Sequence, residues 1–88
     1  MAAYNVELSN QAERVIRRMA EREPALYQRV ANAVDDLQHD PHQGKPLKGE
    51  LKGRYSYRVG IYRIVYLIRR QELLVLIIDI GHRRDIYR

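Results

Sequence analysis

Tyr55-Ser56-Tyr57-Arg58-Val59-Gly60-Ile61-Tyr62-Arg63-Ile64-Val65-Tyr66-Leu67-Ile68-Arg69 is the stretch in which the spacing of apolar residues becomes two. Tyr55, Tyr57 and Val59 alternate with Arg54, Ser56 and Arg58. After Gly60, the run Ile61 to Arg69 puts Tyr62, Ile64, Tyr66 and Ile68 on one face and Arg63, Val65, Leu67 and Arg69 on the other. Period-two alternation is what a half-buried strand requires, so two strands are predicted here. Arg70-Gln71-Glu72 is a polar turn, and Leu73 to Ile80 is apolar on nearly both faces, as a central strand must be. The three strands make an antiparallel meander. Gly81 is expected to end it, leaving His82 to Arg88 as a basic tail.

Upstream, Tyr4, Val6 and Leu8 alternate with Asn5 and Glu7, giving a short strand from Tyr4 to Leu8. Ser9-Asn10 offers an N-cap, with Glu13 three residues after Asn10 in the manner of a capping box. A helix is predicted from about Asn10 to Arg22, with Ala12, Val15, Ile16, Met19 and Ala20 at helical spacing. Glu23-Pro24 breaks it, and Pro24 opens a second helix running to about Gln38, because the first turn needs no proline N–H. Leu26, Val30, Ala33, Val34 and Leu37 form its apolar stripe. Asp40-Pro41 stops this helix, and His39 to Lys45 reads as loop. The order predicts one α+β domain over residues 1–88, β-α-α-β-β-β, with a helical hairpin on one face of a mainly antiparallel sheet. The other face is left open, and Arg58, Arg63 and Arg54 are expected on it or at its rim.

With 88 residues the chain has room for one layered core, and not for a dinucleotide enzyme or a barrel. The absence of cysteine excludes disulfides, thiolate zinc sites and a cysteine nucleophile. The longest apolar run, Leu73 to Ile78, is far short of the roughly 20 residues of a membrane span. The N-terminal residues lack the basic start and apolar stretch of a signal peptide, so a cytoplasmic protein without membrane contact is expected. Charge is divided unevenly. Residues 1–44 hold five arginines and seven acidic residues, net −2; residues 45–88 hold eleven Lys/Arg and four acidic residues, net +7. A basic half joined to a mildly acidic one points to a polyanionic partner, nucleic acid above all.

The candidate chemistry follows from what is missing and what is abundant. No phosphate-cradling glycine loop and no zinc-hydrolase spacing occurs, and the acidic residues of the basic half (Glu50, Glu72, Asp79, Asp85) are scattered, so no cofactor and no metal are expected. Metal-free cleavage of RNA needs cations on the phosphate and groups that move protons to and from ribose oxygens. Arginine suits the phosphate because its planar fork binds two oxygens and keeps its charge. Histidine and tyrosine suit proton transfer or base stacking. Lys48, Lys52, Arg54, Arg58, Arg63, His82, Arg83, Arg84 and Tyr87 supply these types.

Three segments in order, Pro46-Leu47-Lys48-Gly49, Tyr57-Arg58-Val59-Gly60-Ile61-Tyr62-Arg63-Ile64-Val65-Tyr66 and Gly81-His82-Arg83-Arg84-Asp85-Ile86-Tyr87-Arg88, closely resemble the RelE branch of the RelE/ParE toxin superfamily. The resemblance covers essentially the whole chain. It implies the toxin of a type II toxin–antitoxin pair: an endoribonuclease that enters the ribosomal A site and cleaves the mRNA there without metal, the 2′-OH attacking the adjacent phosphate. It implies a RelB-like antitoxin as partner, and contact with operator DNA only through the antitoxin complex. By position, Arg63 matches the family arginine of the Tyr-Arg motif and Arg83 the family's basic residue after the last strand, both expected to stabilise the scissile phosphate. Tyr87 matches a terminal tyrosine that stacks on or orients the cleaved nucleotide and is a candidate to move a proton. His82 stands where several relatives carry a catalytic histidine. Arg54 lies where some relatives place a lysine, and Ser56 where a second lysine sits, a departure that shifts proton transfer toward His82. Lys48, Lys52, Arg54, Arg58 and Arg84 are expected to grip RNA.

Competing readings attach to the same residues. Arg63 in an apolar strand could simply pair with Asp79. His82-Arg83-Arg84 could be a solvated basic end. The His-Arg-Arg-Asp run at 82–85 also occurs in the ParE branch, whose members inhibit gyrase and cleave no RNA. A ParE-like gyrase inhibitor is therefore the alternative function.

Overall fold

In the computed structural model, which describes residues 3–82, the elements are β1 (Asn5–Leu8), α1 (Asn10–Arg22), α2 (Pro24–His39), β2 (Lys45–Pro46), β3 (Tyr55–Val59), β4 (Tyr62–Arg69) and β5 (Leu74–His82). Single 3-10 turns occupy Pro41–Gln43 and Gly49–Leu51. The five strands form one sheet in the order β1-β5-β4-β3-β2. β1 runs parallel to β5, and every other pairing is antiparallel. The expected α+β architecture, a helical hairpin on a mainly antiparallel sheet, is the one observed.

Local chemistry accounts for the hairpin. Ser9 Oγ accepts from the N–H of Ala12 at 3.0 Å and donates to the carbonyl of Ile78 at 2.5 Å, so the cap of α1 also fastens the helix to β5. The expected capping box does not close: the Glu13 carboxylate turns to Arg17, one turn along the exposed face. Glu23 ends α1 by donating its N–H to Met19 at 2.7 Å and is also the residue before α2, whose first position is Pro24. Because one residue separates the helices, they fold back on each other. Ala12 and Met19 of α1 and Val30, Ala33 and Leu37 of α2 are buried against Val59, Ile64, Tyr66, Val75, Ile77 and Ile80 of the sheet.

Three expectations about the strands are corrected. The segment read as loop, His39 to Lys45, runs into β2, where Lys45 pairs with Ser56 and Pro46 with Tyr55 at the sheet edge. Proline is tolerated there because an edge strand needs hydrogen bonds on one side only. β5 does not stop at Gly81: β4 is long enough to pair as far as Tyr62 with His82, and Arg63 stands opposite Gly81. At the other end, Leu73 belongs to the turn rather than to β5, with a φ of 48° and its N–H donated to Arg70 at 3.2 Å.

Candidate functional site

The face of the sheet away from the helices is where the basic half of the chain shows its charge. On β3 and β4, Ser56 stands opposite Val65 and Arg58 opposite Arg63. Because side chains alternate along a strand, these four share one face, while Tyr57, Val59, Tyr62 and Ile64 turn to the helices. Ser56 and Val65 are buried. Beside them an open groove of about 640 Å³ is lined by Gln43, Gly44, Lys45, Leu47, Ser56, Tyr57, Arg58 and Arg63.

Two guanidinium groups on directly opposed residues repel. No acid offsets them: among the described residues neither Arg58 nor Arg63 has an ion pair. Arg63 Nε is buried and without a hydrogen-bond partner. The pairing with Asp79 that the sequence allowed is not made. Asp79 stands opposite Val65, and its carboxylate accepts from the N–H of Ile80 at 2.8 Å and from Gln11 Nε2 at 3.1 Å. Arg63 Nε is closed off from solvent, so only the outer nitrogens of this guanidinium could meet an anion in the groove.

The other residues singled out from the sequence are distributed differently. Lys48 precedes the 3-10 turn Gly49–Leu51 and Lys52 follows it; both are exposed. Arg54 is half-buried, its N–H donated to Leu51 and its carbonyl accepting from Leu47, so residues 47–54 close into a compact loop between β2 and β3. This loop touches the groove through Leu47, while Lys48, Lys52 and Arg54 do not line it. His82 does not come to the groove. Gly81 takes the position opposite Arg63, and alternation sends His82 to the helix side, opposite Tyr62, with ring centroids 6.1 Å apart. Arg83, Arg84 and Tyr87 lie outside the described residues. Among the described residues no three of His, Asp and Glu gather into a possible metal site.

Among the groove residues not anticipated are Gln43 and Lys45. Gln43 Nε2 donates to the carbonyls of Asp36 at 3.0 Å and Asp40 at 2.9 Å, closing the C-terminal end of α2 and fixing the groove wall. Lys45 is exposed on β2 and reaches the site only through its pairing with Ser56. No local pattern marks a two-residue strand.

Behind the groove, Tyr66 is wholly buried. Its hydroxyl donates to the carbonyl of Pro41 at 2.6 Å, and its ring stacks on Tyr55 with centroids 5.6 Å apart. Burial pushes the phenol up to about 12, helped by nearby Tyr55 and Asp40 and partly offset by the Gly44 backbone. This tyrosine is therefore a neutral strut between β4 and the segment carrying Gln43 and Gly44. A separate apolar groove of about 300 Å³ opens between β1 and the helices, lined by Val6, Leu8, Ile16, Tyr27, Val30, Ala31 and Val34. No helix among the described residues is long and apolar enough to cross a membrane.

Comparison with known proteins adds to this picture. Residues 6–87 match the family model of the ParE toxin of type II toxin–antitoxin systems, parDE. The chain is 38% identical over 86 residues to Toxin RelG of Mycobacterium tuberculosis, covering 97% of each protein. It is 37% identical to Toxin RelE of the same organism, covering 97% of this chain and 87% of that one. Among solved structures, a chain of the toxin–antitoxin complex RelBE2 of M. tuberculosis superposes with a TM-score of 0.82 at 34% identity, 97% of each chain being covered.

Proposed function

Because the chain belongs to the ParE toxin family within the RelE/ParE superfamily, and is thus a type II toxin, we propose that it is a ribosome-dependent, metal-independent endoribonuclease that cuts mRNA in the A site. The observation that carries this reading is the opposed pair Arg58 and Arg63 beside a groove, with Arg63 Nε buried and unpartnered. Two guanidiniums without an ion pair among the described residues match a phosphate that gains negative charge in its transition state.

In the proposed reaction the ribose 2′-oxygen bonds to the adjacent phosphorus and the bond from phosphorus to the 5′-oxygen breaks. One proton leaves the 2′-OH and one is delivered to the departing 5′-oxygen. The products are a 2′,3′-cyclic phosphate and a 5′-OH. Arg63 holds a non-bridging oxygen of that phosphate, with Arg58 at its side. By resemblance, Arg83 shares the phosphate, and Tyr87 orients the cleaved nucleotide and moves a proton. His82, against Tyr62 on the helix side, acts in this proposal by holding the end of β5 rather than by carrying the proton. Lys48, Lys52, Arg54 and Arg84 contact the RNA backbone, mRNA or ribosomal. The ribosome supplies the orientation that so small a set of groups cannot impose on a free strand.

The partner in this proposal is a RelB-like antitoxin, as the toxin–antitoxin complex of the M. tuberculosis relative suggests. An amphipathic antitoxin helix fits the apolar groove between β1 and the helices, and its acidic residues would cover the basic half. Operator DNA is met only within that complex.

The ParE identity of the matching family model favours a second reading, a gyrase inhibitor without nuclease activity. Primer extension on an mRNA held in 70S ribosomes with a vacant A site separates the two. A cut within the A-site codon that disappears with Arg63→Ala supports the nuclease. An intact message together with accumulated gyrase–DNA cleavage complexes supports the inhibitor and ends the nuclease reading.

A further inference from the structure

A second pair of arginines meets at the turn between β3 and β4. Gly60 there has a φ of 60°. A Cβ built on it would stand 2.9 Å from Arg29 Nη2 and 3.5 Å from Arg29 Nη1, so the guanidinium of this α2 residue lies against the turn. From the other side Arg58 Nε donates to the carbonyl of Gly60 at 3.3 Å. Both arginines are exposed, and among the described residues neither has an ion pair. They border a cleft of about 320 Å³ with Asn32, Asp36, Tyr57 and Gly60. The one acid there, Asp36, lies seven residues beyond Arg29, about 10 Å farther along the helix. Arg58 also lines the groove that holds Arg63. It is thus shared by two cationic depressions.

We propose that Arg29 and Arg58 form a second RNA-phosphate site at the Gly60 turn, continuing the track that begins at Arg63. This rests on the nuclease reading for the identity of the polyanion. The physical argument is local. Two guanidiniums converge on one peptide whose single carbonyl oxygen can engage only a few of their ten N–H donors. Their mutual repulsion falls when an anion lies between them. A phosphodiester backbone supplies such anions at regular spacing and is gripped by arginine through paired hydrogen bonds. The phosphate is that of the message or of ribosomal RNA, and the two sources are separable.

The test is binding of the full chain to two probes over a series of salt concentrations. One probe is a fluorescein-labelled 12-nucleotide RNA carrying 2′-O-methyl groups, which cannot be cut. The other is 70S ribosomes with a vacant A site. Loss of one phosphate contact lowers the slope of log affinity against log salt by about 0.7 on a single strand. Arg29→Ala is expected to show that loss and a several-fold weaker affinity at low salt, Arg29→Lys to retain most of both, and Arg18→Ala, the same charge loss on α1, to change neither. An effect on the oligonucleotide assigns the phosphate to the message; an effect on the ribosome alone assigns it to ribosomal RNA. If Arg29→Ala binds both probes as the parent chain does, or if Arg18→Ala weakens binding equally, the site is refuted while the nuclease reading stands. If the parent chain binds neither probe, both fall.

Discussion

The hydroxyl of Tyr66 fills the space that a side chain at Gly44 would need. A Cβ on Gly44 would overlap Tyr66 Oη and stand 3.1 Å from the carbonyl of Ser56. The backbone at Gly44, φ −74° and ψ 166°, suits any residue, so the requirement for glycine is purely steric. Gly44→Ala is expected to destabilise by about 1–3 kcal/mol, the usual range for overpacking. In a Tyr66→Phe background, where the oxygen is gone, the same change should cost less. Urea unfolding of the four variants measures the coupling; additive effects would show that the two residues do not compete for space.

Tyr66 also gives stability a defined alkaline limit. Its phenol is pushed up to about 12 by burial, against an ordinary value of 10. The folded chain therefore holds the proton more tightly than the unfolded chain. The stabilisation is complete below pH 10 and is lost as pH rises from 10 to 12, in total about 2–3 kcal/mol. Tyr66→Phe leaves the carbonyl of Pro41 without its donor, at a cost of about 1–3 kcal/mol at neutral pH. It should also flatten the decline above pH 10. Chemical denaturation at pH 8, 10 and 11 tests both parts, and parallel declines in the two proteins would exclude Tyr66 as the cause.

Leu73 has a φ of 48°, a conformation that costs a non-glycine residue about 1–2 kcal/mol. The residue is 41% exposed, so only part of its packing is at stake. Leu73→Asn is expected to raise the melting temperature by a few degrees, since asparagine accepts this conformation readily. A lower melting temperature in calorimetry would show that Leu73 contributes more by its contacts than it loses in strain.

For the proposed cleavage, Arg63→Ala should reduce single-turnover cutting in programmed ribosomes by about 10²–10³-fold, as removal of a transition-state donor does. Arg63→Lys should recover only part, because a point charge replaces a fork. His82→Gln is expected to stay within a few-fold of the parent and to leave the pH profile in place, since His82 lies against Tyr62 on the helix side. A loss of cutting of about a hundredfold or more in His82→Gln would make the histidine the proton carrier after all.

Occupation of the apolar groove by an antitoxin helix would stabilise the toxin by about 4 kcal/mol at a thousandfold excess over Kd. Ala31→Glu puts a charge into that groove and should weaken antitoxin binding by tenfold or more while leaving RNA binding unchanged. Isothermal titration with the cognate antitoxin measures it, and an unchanged affinity would place the helix elsewhere.

The sequence by itself determined the elements that report their own periodicity. Val15, Ile16 and Met19 recur at helical spacing, and Tyr55 to Arg69 alternates. Ser9 and Pro24 mark helix starts by the hydrogen bonds that the first turn lacks. These signals are local, so the α+β order was legible without coordinates, and the cationic residues of the second half could be named. Tertiary structure alone decided which of those residues meet. Arg58 faces Arg63 because of the β3–β4 register, and Gly81 rather than His82 faces Arg63 because of the β4–β5 register. Lys45 enters the site through a two-residue edge strand, and Arg29 of α2 reaches Gly60 across more than thirty residues of chain. Register is the decisive quantity, since a shift of one residue would send every side chain of a strand to the other face; the two-residue turn Gly60-Ile61 sets it between β3 and β4, and the packing of the buried face sets it between β4 and β5.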